Sequence, residues 1–144
     1  MKKIVIILFF ISAGLFAQRD RHEKIKTLKI GYITQELSLT PSEAEKFWPI
    51  YNVLDSKITE LRKSERRDIG SKLRDGFDTL TDEDADVLID RWLQIESETL
   101  KLRQELVLNL RTVLPPKKII RLRKAEDDFK RRLLEQYKGK GNRK

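Results

Sequence analysis

The sequence predicts an all-α fold of four amphipathic helices, at about 20–37, 41–75, 82–113 and 116–137, with a long helical hairpin. Three observations predict it. Apolar residues recur at steps of three and four, the spacing of one helix face. Helix-start residues stand before the second, third and fourth patterns. The composition is 38% charged, with six glycines, four prolines and no cysteine, so stability rests on packing of charged-faced helices rather than on disulfides.

The first helix carries Ile25, Leu28, Tyr32, Ile33 and Leu37 on one face, and Ser38-Leu39 breaks it. The second opens at Thr40-Pro41-Ser42-Glu43. Threonine caps free amide groups, proline suits the first helical position, and a glutamate at the third can close a capping box. Ala44, Phe47, Tyr51, Leu54, Ile58 and Leu61 follow as a heptad-like seam, widened by Trp48 and Ile50. Pro49 removes one backbone bond inside this helix, Gly70 weakens it and Gly76 ends it. The third helix starts at Thr81 with Asp82, Glu83 and Asp84 in the first turn, where the helix dipole favours carboxylates. Its seam is Ala85, Leu88, Trp92, Ile95, Thr99, Leu102, Leu106 and Val113, a length of about 30 residues or ~45 Å. Leu114-Pro115-Pro116 ends it and starts the fourth, whose face is Leu122, Ala125, Phe129, Leu133 and Tyr137, with Ile119 and Ile120 adding bulk at its start. Residues 138–144, rich in lysine and glycine, are expected to be a disordered basic tail. Leu39-Thr40, Leu80-Thr81 and Leu114-Pro115 each place a leucine before a helix start, as a hydrophobic staple with a cap would.

Lys2 and Lys3, the apolar stretch Ile4 to Phe16, and the abrupt polar turn at Arg19-Asp20-Arg21 have the order of a secretory signal peptide, residues 1–17. Cleavage is expected after Ala17, with Gly14 the alternative. A spanning helix takes ~20 apolar residues, and this run is shorter. The mature chain is therefore expected to be periplasmic, one domain over 18–137, without stable membrane insertion. Without Lys2 and Lys3, 29 basic residues face 23 acidic ones, a net +6. Residues 117–144 hold 12 basic and 4 acidic residues, net +8, and residues 18–116 hold 17 and 19, net −2. Outside the cytoplasm such a basic end points to membrane surface, envelope polyanion or acidic client protein rather than to nucleic acid.

Catalytic constellations are not found. His22 is the only histidine, which excludes HExxH, and it is a poor base for a serine triad. The run Asp82-Glu83-Asp84-Ala85-Asp86 starts like a calcium loop, but Val87 stands where glycine is needed and Leu93 where a bidentate glutamate belongs. An enzyme, a cofactor and a metal site are accordingly not expected. Two basic clusters are the binding candidates: Arg62, Lys63, Arg66 and Arg67 on the second helix, and Arg121, Arg123, Lys124, Lys130, Arg131 and Arg132 on the fourth. Each is either a solvated charged face or a surface for unfolded or acidic partners. Phe47, Trp48, Tyr51, Phe77, Trp92 and Phe129 fall on the apolar stripes, where core packing is their expected role; any of them left exposed beside the cations would make an amphipathic binding surface.

Signal peptide, four helices and Leu39-Thr40-Pro41-Ser42-Glu43 together resemble the Spy/CpxP family of periplasmic proteins, whose mark is a pair of LTxxQ motifs. Leu114-Pro115-Pro116-Lys117-Lys118 stands at the second motif and keeps its leucine. The run Ala44-Glu45-Lys46-Phe47-Trp48-Pro49-Ile50-Tyr51 is similar to Bacteroidetes-type envelope proteins labelled heavy-metal sensors or sensors of an extracytoplasmic-function sigma factor. The resemblance implies a cradle-shaped homodimer joined along long antiparallel helices, an ATP-independent chaperone holding unfolded clients on a basic, partly apolar face, and a link to envelope-stress sensing. Leu39, Thr40, Pro41, Glu43, Leu80, Thr81, Leu114 and Pro115 would then define the fold. The alternatives are a dedicated signalling partner of one anti-sigma or sensor protein, and a polyanion-binding structural protein of the envelope.

Overall fold

The computed structural model describes residues 23–141, and the signal-peptide expectation lies outside them. The described residues are helical, with no strand among them, as the periodicity predicts. Five α-helices follow one another: α1 over 23–36, α2 Pro41–Glu65, α3 Ser71–Asp75, α4 Asp82–Leu110 and α5 Pro116–Gly141. No helix among the described residues is long and apolar enough to cross a membrane.

The expected second helix, 41–75, is helical throughout but not uniform. A π-helical turn, Arg66–Gly70, separates α2 from α3, and Gly76 ends the run as expected. The third helix stops at Leu110 rather than 113, because tight turns close there: the Thr112 N–H donates to the Asn109 carbonyl and that of Val113 to Leu110. The fourth extends through Gly141 rather than stopping at Tyr137, so residues 138–141, expected in the tail, are helical, and the rest of that tail lies outside the described residues.

Local chemistry sets the boundaries. α1 closes with Ser38 at φ 47°. Ser38 N–H donates to the Gln35 carbonyl and Leu39 N–H to that of Thr34, the paired bonds of a Schellman end. Thr40 caps α2 with the full box: its Oγ1 accepts from the Glu43 N–H at 3.2 Å, and Glu43 Oε2 accepts from the Thr40 N–H at 2.8 Å. Thr81 caps α4, its Oγ1 accepting from the Asp84 N–H at 3.1 Å. At α5 the Pro115 carbonyl accepts from the Lys118 N–H at 2.9 Å.

Contacts divide the chain into two compact units, Thr40–Ile119 and a second formed by the stretch up to Leu39 with the stretch from Ile120. In the first, α2 and α4 form the expected long hairpin, antiparallel because the start of α4 meets the end of α2 through Arg91 and Ser64. Phe47, Tyr51, Leu54 and Ile58 of α2 are buried, as are Ile95, Leu106 and Leu110 of α4, while Thr99 and Leu102 of its seam are half-buried. Phe47 stacks on Tyr51 with centroids 5.2 Å apart, and Trp48 meets both edge-on. In the second unit Ile33, Leu37, Leu122 and Ala125 are buried, and Tyr32 of α1 lies 5.7 Å from Phe129 of α5. In this unit three expected core positions face outward: Leu28, Ile120 and Tyr137. Ile120 is adjacent to buried Ile119, and neighbours in a helix point about 100° apart, so both cannot face one core.

Candidate functional site

The far end of the hairpin carries an open apolar groove. Ile69 of the π-turn, Leu73 of α3, Phe77, Leu80 and the first turns of α4 line it, with Leu88, Ile89 and Trp92 on the α4 side. It encloses about 360 Å³, within the range of ligand and peptide pockets. Leu73, Phe77, Ile89 and Trp92 keep 49, 64, 48 and 48% of their surface exposed. Phe77 and Trp92, expected in the core, therefore belong to the surface: the chain leaves α2 for α4 here, and no other element among the described residues covers the hairpin end.

A polar cluster holds the groove's two walls together. Arg91 donates to Ser64 Oγ at 2.7 Å and to Asp68 Oδ2 at 3.2 Å, and Ser64 Oγ donates to Asp68 at 2.9 Å. Arg67 Nε adds a bond to the other Asp68 oxygen at 3.1 Å. The Ser64 hydroxyl, with Arg91 and Arg67 behind it, holds the Asp68 carboxyl below the usual aspartate range. The extra residue per turn in the π segment turns Asp68 toward α4 while Ile69 enters the groove.

The first basic cluster lies on the last turn of α2 and the π-turn, close in sequence to the groove residues Glu65 and Ile69. Arg62, Lys63, Arg66 and Arg67 are all exposed. Lys63 pairs with Glu60 at 2.8 Å and Arg67 with Asp68, whereas Arg62 and Arg66 have no ion pair among the described residues. Of the charged residues, Glu65 at the end of α2 lines the groove, and none of these four cations does. Asp82, Glu83, Asp86 and Asp90 of α4 are exposed and close in sequence to its groove residues.

The second cluster belongs to the other unit, and its charge is largely answered within that unit. Lys124 and Arg131 share Asp128 at 2.6 and 2.7 Å, Arg123 pairs with Asp127, and Arg132 lies 4.8 Å above the Tyr32 ring. The Lys124 partnership holds Asp128 low and pushes Lys124 up. Arg121 and Lys130 remain exposed without such a partner among the described residues.

Of the structural-motif residues, Thr40, Pro41 and Glu43 form the start of α2 and Thr81 caps α4. Glu43, besides closing the capping box, accepts Lys118 Nζ at 2.6 Å in a mostly buried ion pair, side chains 20 and 24% exposed. Leu114 is buried and Leu39 and Leu80 are half-buried. Sequence reading missed the groove residues Ile69, Leu73 and Ile89. Their signal was a second apolar periodicity beside the main seams, which a single-face reading discards. Among the described residues no group of three or more His, Cys, Asp or Glu is placed to hold a metal ion.

Comparison of the chain with protein-family models, with curated proteins and with solved structures finds no match.

Proposed function

We propose that this chain is a binding protein that works outside the cytoplasm and holds unfolded or regulatory protein segments without nucleotide. The observation that carries the reading is the hairpin groove, lined by exposed Leu73, Phe77, Ile89 and Trp92, with exposed Arg62 and Arg66 one helical turn from its Glu65 and Ile69. Large exposed apolar patches rimmed by charge are the physical form of a protein-binding surface. Long-range attraction gathers a charged segment, and shallow apolar contact then retains it, so no energy source is needed.

The Spy/CpxP-like reading gains support from one contact. Glu43 and Lys118 occupy the fifth positions of the two motif copies, where the family pattern has glutamine, and they form an ion pair across 75 residues of chain. Opposite charges at these two places keep the two helix starts bonded. The same reading includes a homodimer and the link to envelope-stress sensing.

The test is light scattering from an unfolded model client, with residues 18–144 added without ATP at two salt concentrations. Suppression near stoichiometric amounts, weaker at high salt, is expected, because exposed charges are screened beyond ~8–10 Å at ordinary ionic strength. No suppression at several-fold excess would rule out general chaperoning. The second reading is a single signalling partner that seats one segment in this groove of about 360 Å³. One tight partner in a native pull-down, with no client protection, would establish it.

A further inference from the structure

We infer that the groove takes an apolar protein segment carrying one lysine or arginine, and that Glu65 receives that cation. This rests on the groove reading above and adds the chemistry of the occupant. On the α2–α3 side the lining residues Glu65, Ile69, Leu73 and Phe77 succeed one another at steps of four, with Glu65 first. Trp92 of α4 reaches the same end, because Arg91 before it bonds at 2.7 Å to Ser64, the neighbour of Glu65. That end of the groove holds a carboxylate and an indole, while the other, at Phe77, Leu80 and Ala85, is apolar.

Among the described residues Glu65 is the one charged group lining this groove, it is half-buried, and its side chain has no ion pair or hydrogen bond. Nearby cations are committed elsewhere: Lys63 to Glu60, Arg67 to Asp68, and Arg91 to Asp68 and Ser64. Arg62 and Arg66 are exposed within a turn of Glu65 and make no bond to it. An occupant that covers the groove takes water away from this carboxylate. A carboxylate removed from water without a partner is costly, so a segment without a cation loses affinity here. A lysine or arginine at this end gives Glu65 a charge-assisted hydrogen bond, and the half-exposed ring of Trp92 attracts the same cation through its face. Charge beyond the groove acts in the same direction. Asp82, Glu83, Asp86 and Asp90 are exposed, close in sequence to Ala85, Ile89 and Trp92, and outnumber Arg62 and Arg66. Together they attract a cationic segment and disfavour an acidic one. The enclosed space of about 360 Å³ suits a few side chains of one segment rather than a folded surface.

The test uses end-blocked, tryptophan-free peptides with one leucine and phenylalanine core on a glycine–serine carrier, differing only in a lysine, glutamine or glutamate beside the core. Each is titrated into residues 18–144 carrying Trp48→Phe, and the emission of Trp92 gives the affinity. The lysine peptide is expected to bind about tenfold more tightly than the glutamine peptide, the scale of a hydrogen bond to a charged group, and the glutamate peptide more weakly still. Glu65→Gln is expected to remove the lysine preference. Glu65→Lys is expected to transfer it to the glutamate peptide, a reversal that a variant damaged in its fold does not give. Equal affinity for the three peptides would overturn this inference and leave the groove reading standing. So would an unfolded, tryptophan-free client that shifts Trp92 emission where the lysine peptide does not. No shift with any peptide or with the client would overturn both.

Discussion

Glu43 answers two donors at once, the Thr40 amide and the Lys118 ammonium. Lys118 first, and the Thr40 N–H second, hold its carboxyl below the ordinary glutamate value of 4.5. A carboxyl lowered by folding contributes stability above its unfolded value, and that contribution is lost as pH falls through its folded value. The Glu43 share should therefore be complete at neutral pH, begin to fall near the ordinary value of 4.5 and be lost at more acidic pH. Glu43→Gln keeps an acceptor for the cap and removes the charge. Its urea midpoint is expected to lie below that of the parent at pH 7, with the gap narrowing toward pH 3; a gap independent of pH would contradict the ion-pair account. Thr40→Ala removes the side-chain cap and is expected to cost about 1 kcal/mol in urea unfolding. Ser38 stands at φ 47°, a conformation that costs a non-glycine residue about 1–2 kcal/mol. Ser38→Gly is expected to raise stability by about 0.5–1 kcal/mol, read from the same denaturation curves.

At the scale of elements, the hairpin follows from two seams that meet. Leu54 is 2% exposed at the centre of the α2 seam, so Leu54→Ala should cost about 2–5 kcal/mol by leaving a cavity. Leu28→Ala, on the outward face of α1, should stay within about 0.5 kcal/mol. The helices, the Thr40 and Thr81 caps and the Gly76 stop were legible in the sequence, because each depends on residues within one or two turns. The π-turn was not, because Asp68 finds its partner Arg91 on another helix, 23 residues away. Arg91→Ala removes that partner, and amide exchange across 66–75 is expected to accelerate while the middle of α2 stays protected. Unchanged exchange there would show that the π-turn stands without Arg91.

For the whole molecule, the location of binding surface is the matter that sequence composition could not reveal. Charge counts drew attention to the basic fourth helix, yet much of that charge is met by Asp127, Asp128 and the Tyr32 ring. The first cluster is exposed at the end of α2, where Arg62 and Arg66 lie one helical turn from the groove residues Glu65 and Ile69. The apolar residues of the groove, Phe77 and Trp92 among them, carry the spacing of a core stripe, and only the position of the hairpin end shows that no element among the described residues covers them. Trp92 makes the central claim directly measurable, since the chain has two tryptophans and only Trp92 lines the groove. In a Trp48→Phe variant of residues 18–144, the emission of Trp92 is followed while an unfolded, tryptophan-free client is added. A blue shift that saturates, and that is lost on Phe77→Glu, is the result expected if the groove holds the client. Suppression of client aggregation with no change in Trp92 emission would contradict it and place binding elsewhere on the chain.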